Sequence, residues 1–476
     1  MKLLRKYHNM AIQAKASLWY TVCNFFQKGI SFIVVPVYVR LLSTAEYGEW
    51  SVFQSWRDIL IIFASLNLYC GVYTKTLVDN TDDRDRYTAS MQGLGTLISI
   101  GLFIVYIFTH EWCNAKLELN TFYMSLLFLY FIVHPGLAFW TSRQRVEYKY
   151  QKMVAVTVIM SVLTPSLSVI LLKCTELREK ALILGFLLVQ CGFGLFFYVY
   201  QFLKGKCFYH KEYWKYAAKF NIPLVPHYLS LIILNQSDRI MIKEICDESD
   251  AGIYSFAYQI ASAINVLISA INGSRVPWTY EKLKSKTYDS LKQTTNALVI
   301  MMGAITVLVA LISPEIISIL GTEDYSVAVY VIPIVTLGVY YTFVYDLYAS
   351  IEFYYGATKY VMYASIIGAI LNLLLNFIFI PMYGFIAAAY TTLICYVVFM
   401  FMHYLFSKIV LRNEGIQICI YDNRTIMLLS ALATMISLVC MVSFKCNIIR
   451  LLLILSVMIV CYLKRKNIIE LLKSIK

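Results

Sequence analysis

Residues 360–406 read YVMYASIIGAILNLLLNFIFIPMYGFIAAAYTTLICYVVFMFMHYLF, with no Asp, Glu, Lys or Arg among them. Two apolar runs, 360–380 and 385–406, flank a short break that contains Pro381 and Gly384. A helix of about 20 residues spans the hydrocarbon core, and an unpaired backbone group in lipid costs several kcal/mol, so each run predicts one membrane-spanning helix. The same criterion, moved outward along the chain, finds fourteen spans: 18–39, 47–72, 88–109, 120–140, 153–172, 181–203, 220–242, 251–272, 293–313, 328–350, 360–380, 385–406, 425–444 and 449–463. The 476 residues are 60% apolar and 14% charged, against roughly 25% charged in a soluble domain. The net charge of +13 lies in short clusters between the runs, which indicates a polytopic membrane protein and excludes a nucleic-acid partner. The expected fold is therefore all-α, with no room for a separate extramembrane domain.

Lys and Arg in the connecting segments number 30 on the side of the N-terminus and 8 on the other, counting Arg450 at the start of the last run. Because positive loops stay inside, this imbalance predicts both termini in the cytoplasm and an even number of spans. The first run is too long for a cleaved signal sequence and contains Gln27 and Lys28.

Gly48, Trp50 and Ser51 open span 2, and Gly252, Tyr254 and Ser255 open span 8, an offset of 204. A looser echo runs from Lys152 to Lys359. Two similar offsets suggest parallel copies of six spans related by a pseudo-two-fold axis, with the substrate between the halves near the midplane. The expected division is 1–215 for helices 1–6, 216–410 for helices 7–12, and 411–476 for helices 13–14 and a cytoplasmic tail.

Polar residues mark the faces that cannot meet lipid. Span 1 carries Asn24, Gln27, Lys28 and Ser31 at i, i+3, i+4 and i+7, and span 2 carries Ser51, Gln54, Ser55 and Asp58, with Arg57 beside them. Span 8 has Ser255, Tyr258, Ser262, Asn265, Ser269 and Asn272, and span 11 has Ser365, Gly368, Asn372 and Asn376. A single Ser or Asn in such a stripe is ordinarily interhelical glue worth about 0.6 kcal/mol. A charge near mid-bilayer costs about 2.5 to 3.5 kcal/mol and calls for more. Lys28 and Asp58 can form a cross-helix ion pair, or Lys28 and Arg57 can line a substrate cavity. Asp238 and Arg239 end span 7, where snorkelling explains them as well as function does. Asp346 in span 10 is an ion or proton site, unless a neighbouring Tyr hydroxyl satisfies it. Prolines 36, 165, 223, 226 and 333 can bend spans.

Phosphate-binding loops, H-E-x-x-H and G-x-S-x-G are missing from the sequence, and the six histidines are scattered. The 12 cysteines follow no zinc or disulfide spacing.

The stretches FFQKGISFIVVPVYVRLLSTAEYGEW (25–50), NQSDRIMI (235–242), AGIYSFAYQIA (251–261) and GATKYVMYASIIGAILNLLLNFIFIPMYGFIAAAYTTLI (356–394) resemble the bacterial polysaccharide flippases. These are the O-antigen or Wzx-type members of the multidrug/oligosaccharidyl-lipid/polysaccharide exporter superfamily. The resemblance runs along essentially the whole chain. It implies a non-enzymatic transporter of the bacterial inner membrane, with two six-helix lobes around a cavity and helices 13 and 14 outside. Its cargo would be an undecaprenyl-diphosphate-linked oligosaccharide, the unit of O antigen, lipopolysaccharide or capsule, handed on to polysaccharide assembly proteins. Carried onto this chain, the substrate-binding positions are Lys28, Arg57, Arg239, Asn24, Gln27 and Asn265. The ion-coupling positions are Asp346 and Asp58, with H+ or Na+ in place of any cofactor. Rival readings are a drug exporter of the same superfamily and an O-antigen polymerase. The longest expected outer loop, 314–327, is short for the polymerase.

Overall fold

The computed structural model describes residues 10–70, 72–79, 83–117, 119–445, 448 and 450–455. Among these, regular structure is helical throughout: α1 (Ile12–Leu41), α2 (Thr44–Ser65), α3 (Val72–Asp79), α4 (Arg84–Leu117), α5 (Thr121–Val146), α6 (Tyr150–Cys174), α7 (Glu179–Gly205), α8 (Lys211–Asn221), α9 (Val225–Ile245), α10 (Glu248–Ser262), α11 (Ile264–Ser285), α12 (Asp289–Leu311), α13 (Ser313–Leu320), α14 (Ala328–Tyr354), α15 (Thr358–Tyr383), α16 (Ile386–Asn413) and α17 (Asn423–Val442). Twelve stretches are long and apolar enough to span a membrane, α8 with α9 and α10 with α11 each counting as one. These correspond to twelve of the expected spans. The span expected at 47–72 is the helix α2, which carries Glu46, Glu49, Arg57 and Asp58 and is not among the twelve. The span expected at 449–463 and the C-terminal tail lie almost wholly outside the described residues.

Span 2 ends earlier than its apolar composition suggests. Leu66 and Asn67 take left-handed φ of 47° and 49°, and the Asn221 amide donates to both their carbonyls at 3.0 Å, which holds the chain in this turn. Beyond it the short α3 packs Val72, Tyr73 and Leu77 into an aromatic core with Tyr87 and Phe139. Pro223 lies in a 3-10 turn between α8 and α9, while Pro36, Pro165 and Pro333 are inside helices. The expected outer loop 314–327 contains most of α13 and a 3-10 turn at Glu323–Tyr325.

The described residues pack into two compact units, one from 1–34 and 49–236, the other from 35–48 and 237–476. In the first, α5 and α7 pack closely and α4 and α6 lie against them. In the second, α14 is central, with α10, α11, α12, α15, α16 and α17 against it. Its sequence is apolar on every face because nearly every residue from Val331 to Glu352 is buried.

The glycines of the internal echo meet each other inside the second unit. A Cβ on Gly48 would collide with the Glu248 carbonyl, and one on Gly252 with the Thr44 carbonyl. The hydroxyls of Thr44 and Ser249 lie 2.6 Å apart beside them. Small residues four apart on one helix (Thr44, Gly48) and three apart on the other (Ser249, Gly252) allow this backbone contact, as in other close crossings of membrane helices.

Candidate functional site

In the first unit, α1 presents Asn24 and Lys28 exposed and Gln27 half-buried. Lys28 forms no ion pair among the described residues. The expected Lys28–Asp58 bridge is therefore replaced by one between sequence neighbours. Arg57 Nε and Nη2 both donate to Asp58 Oδ1, at 2.9 and 2.6 Å. Although neighbours on a helix diverge by about 100°, the long arginine side chain folds back to reach Asp58. The guanidinium also stacks 4.5 Å above the Phe186 ring of α7. The other Asp58 oxygen accepts from Gln236 Nε2 at 3.3 Å, and Gln236 Oε1 accepts from Ser55 at 3.2 Å. Arg57 Nη1 has no hydrogen-bond partner among the described residues, so it remains available to an incoming oxygen.

The second unit holds a deeper set. Asp238 and Arg239 are 1% and 9% exposed and lie a turn and a half inside α9, so snorkelling is not what accommodates them. Asp238 accepts from Tyr254 at 2.5 Å, Thr392 at 2.8 Å and Asn376 at 2.7 Å, and Ser237 donates to Asn372 at 3.0 Å. The Arg239 guanidinium lies 4.5 Å above the Tyr258 ring. The span 11 stripe thus reaches this carboxylate through Asn376, joined by Tyr254 of α10 and Thr392 of α16. Full donor satisfaction is what allows a buried charge to persist. The span 8 stripe is interrupted at Ala263, between α10 and α11, and Asn265 lies half-buried just beyond, its carbonyl accepting from Ser269.

Asp346 is satisfied by charge rather than by a tyrosine. It accepts from Arg275 Nη2 at 2.8 Å and from Asn272 Nδ2 at 2.7 Å, while Arg275 Nε donates to Asn272 Oδ1 at 3.0 Å. Arg275 is only 2% exposed and is among the largest fully buried side chains. Sequence reasoning missed it because span 8 was ended at 272, although the stripe spacing of three to four continues from Asn272 to Arg275. Also missed is the buried pair of Glu352 and His403, 2.9 Å apart between α14 and α16. A lone histidine in an apolar run gave no sign of its partner.

Helical throughout its described residues, with twelve membrane-length stretches and charges satisfied inside them, the chain is a polytopic membrane protein. The family described as "Polysaccharide biosynthesis protein" matches residues 14–282, and the family "MatE" matches 223–378. The chain belongs to the polysaccharide biosynthesis proteins, within the superfamily of multidrug/oligosaccharidyl-lipid/polysaccharide exporters. Two Haemophilus influenzae proteins are similar over 75% of this chain and 88% of their own length. They are an "Uncharacterized membrane protein", 27% identical, and "Lsg locus putative protein 1", 26% identical. Among solved structures, "Lipid II flippase MurJ, inward closed conformation" aligns with a TM-score of 0.66 at 15% identity, covering 95% of this chain and 99% of its own. An inward-facing multidrug resistance MATE family transporter aligns with a TM-score of 0.67 at 12% identity, covering 82% and 96%. At these identities the likeness is one of fold.

Proposed function

We propose that this protein flips an undecaprenyl-diphosphate-linked oligosaccharide, an O-antigen or capsular repeat unit, across the bacterial inner membrane by alternating access. The observation that carries this reading is the state of the cations in the first unit. Lys28 is exposed on α1, and Arg57 holds Asp58 through two of its nitrogens and keeps Nη1 open. A diphosphate offers the charged oxygens that such groups bind strongly. Asn24, Gln27 and Asn265 supply neutral donors for sugar hydroxyls, and Arg239 supplies a further cation. Asp58 and Asp346 are the carboxylates through which H+ or Na+ would bias one state over the other, because an ion shifts an equilibrium only by binding its states unequally. Each has an arginine within 3 Å, so exchange requires that pair to open. Both termini lie in the cytoplasm in this reading, by the 30-to-8 charge excess.

Arg57→Ala and Lys28→Ala should each accumulate in the membrane at normal levels yet fail to restore surface polysaccharide in a strain lacking the gene. Loss of the protein itself would instead assign these residues to structure. An impermeant thiol reagent on intact cells should label cysteines placed at 245–250 and spare those at 204–219; the reverse pattern would invert the topology. The match of residues 223–378 to MatE favours a second reading, export of small molecules. Resistance to cationic dyes conferred by the gene, without any effect on polysaccharide, would select it.

A further inference from the structure

A cavity of about 620 Å³ opens in the second unit at the end of α16. Its shape follows from a helix stop. Gly415, with φ of +74°, turns the chain back, and the Ile416 N–H closes on the Leu411 carbonyl at 2.8 Å. This is the left-handed glycine cap that ends many helices. The returning segment tucks Ile420 and Tyr421 inside, where the Tyr421 hydroxyl donates to the Leu347 carbonyl at 3.2 Å. The buried Tyr348 and Ile351 of α14 contribute to the cavity, and Tyr404, Ser407, Lys408 and Arg412 line it from α16.

Lys408 and Arg412 are exposed and one turn apart, a like-charge spacing that destabilises a helix. Neither has an ion-pair or hydrogen-bond partner among the described residues. Two unanswered cations at a cavity with tyrosine and glutamine side chains suit a phosphate ester.

The surface next to the cavity decides the source of that phosphate. Phe401, Leu405 and Ile409 form an exposed apolar stripe along α16, and Lys408 and Arg412 lie at its end, within one turn of Ile409. With 28 residues, α16 is about 42 Å long against a hydrocarbon core of about 30 Å, so its last turns reach headgroup level. Ile418, 60% exposed in the returning segment, adds a second apolar contact on the same rim. We propose that this cavity binds the phosphate of an anionic phospholipid, with an acyl chain lying along Phe401, Leu405 and Ile409. Anionic lipids are richest in the cytoplasmic leaflet, the side on which the charge excess places the 407–424 segment. The proposal stands independently of the transported cargo.

The test uses the full-length protein, stripped of lipid in neutral detergent and titrated with phosphatidylglycerol, phosphatidylcholine of the same chains, glycerol 3-phosphate or inorganic phosphate. Bound lipid is counted by native mass spectrometry, and the melting midpoint is followed in parallel. Phosphatidylglycerol should be retained at a defined stoichiometry and raise the midpoint, phosphatidylcholine should do neither, and the two soluble phosphates should have little effect. Lys408→Gln with Arg412→Gln should weaken phosphatidylglycerol retention about tenfold or more while melting normally in phosphatidylcholine. Lys408→Arg should keep it. Equal retention by the double variant, or equal binding of both lipids, would overturn the proposal. Stabilisation by the soluble phosphates alone would assign the cavity to a soluble anion and overturn the lipid as its source. A double variant that melts early would leave the wild-type contrast between the two lipids as the deciding result.

Discussion

Each unit contains an arginine–aspartate pair, and the two are built differently. Arg57 and Asp58 are neighbours on α2, with side chains 14% and 31% exposed, so the bridge forms within one helix. Arg275 and Asp346 join α11 to α14, with side chains 2% and 32% exposed, so the difference lies in the buried arginine. The first can open without separating any helices. The second fastens two helices and leaves a buried guanidinium uncompensated if it breaks. The first pair therefore suits the ligand contact proposed for Arg57, whereas the second ties α11 to α14.

The largest effect expected from this contrast is at Asp346. Asp346→Leu should destabilise the protein by about 3 to 5 kcal/mol, measured by denaturant titration in mixed micelles, because the buried Arg275 guanidinium is left without its carboxylate. Arg275→Met combined with Asp346→Leu should recover most of that loss. A double variant as unstable as the single one would mean that the pair does not act as a unit.

Asp58→Ala should cost about 0.2 to 1 kcal/mol in the same titration, the range of a solvent-accessible pair. A loss matching that of Asp346→Leu would erase the distinction between the two units.

The smallest effect is a pH dependence at the end of α5. Burial pushes the Glu147 carboxyl up, but hydrogen bonds from Lys149 and Arg143 outweigh it and hold the carboxyl below its usual range. Arg143 also binds Asp85, and Arg84 lies 3.9 Å from Glu147. A depressed carboxylate lends stability that is present above the unfolded-state value, near 4.3, and is lost as pH falls through the lower folded value. Unfolding of wild type should thus become easier between about pH 5 and 3, and Glu147→Gln should flatten that slope. An unchanged slope would remove Glu147 from the account.

The fold was legible because lipid leaves the backbone one economical solution, and apolar runs of sufficient length report it directly. Helix ends were less so. The 47–72 run continues apolar past Ser65, while the turn at Leu66 and Asn67 is held by Asn221, some 150 residues away. The stripes identified which residues face protein but not their partners. Asp238 was visible, and its ring of Tyr254, Asn376 and Thr392 was spread over three other helices. Arg275 sat at the next step of a stripe already in hand, whereas the pairing of Glu352 with His403 had no local signature. The glycines of the echo have a structural role that the sequence did not show: Gly48 and Gly252 pack against each other.

The central claim is that Arg57 serves a phosphorylated lipid rather than the fold. Purified protein in liposomes should expose undecaprenyl-diphosphate-linked oligosaccharide to an impermeant lectin faster than protein-free liposomes, and faster still when a proton or sodium gradient is imposed. Arg57→Ala, inserted to the same level, should slow this at least about tenfold, the expected loss of a charge-assisted contact. Transfer by Arg57→Ala at the wild-type rate, or accumulation of a cationic dye with no movement of the glycan lipid, would contradict the account.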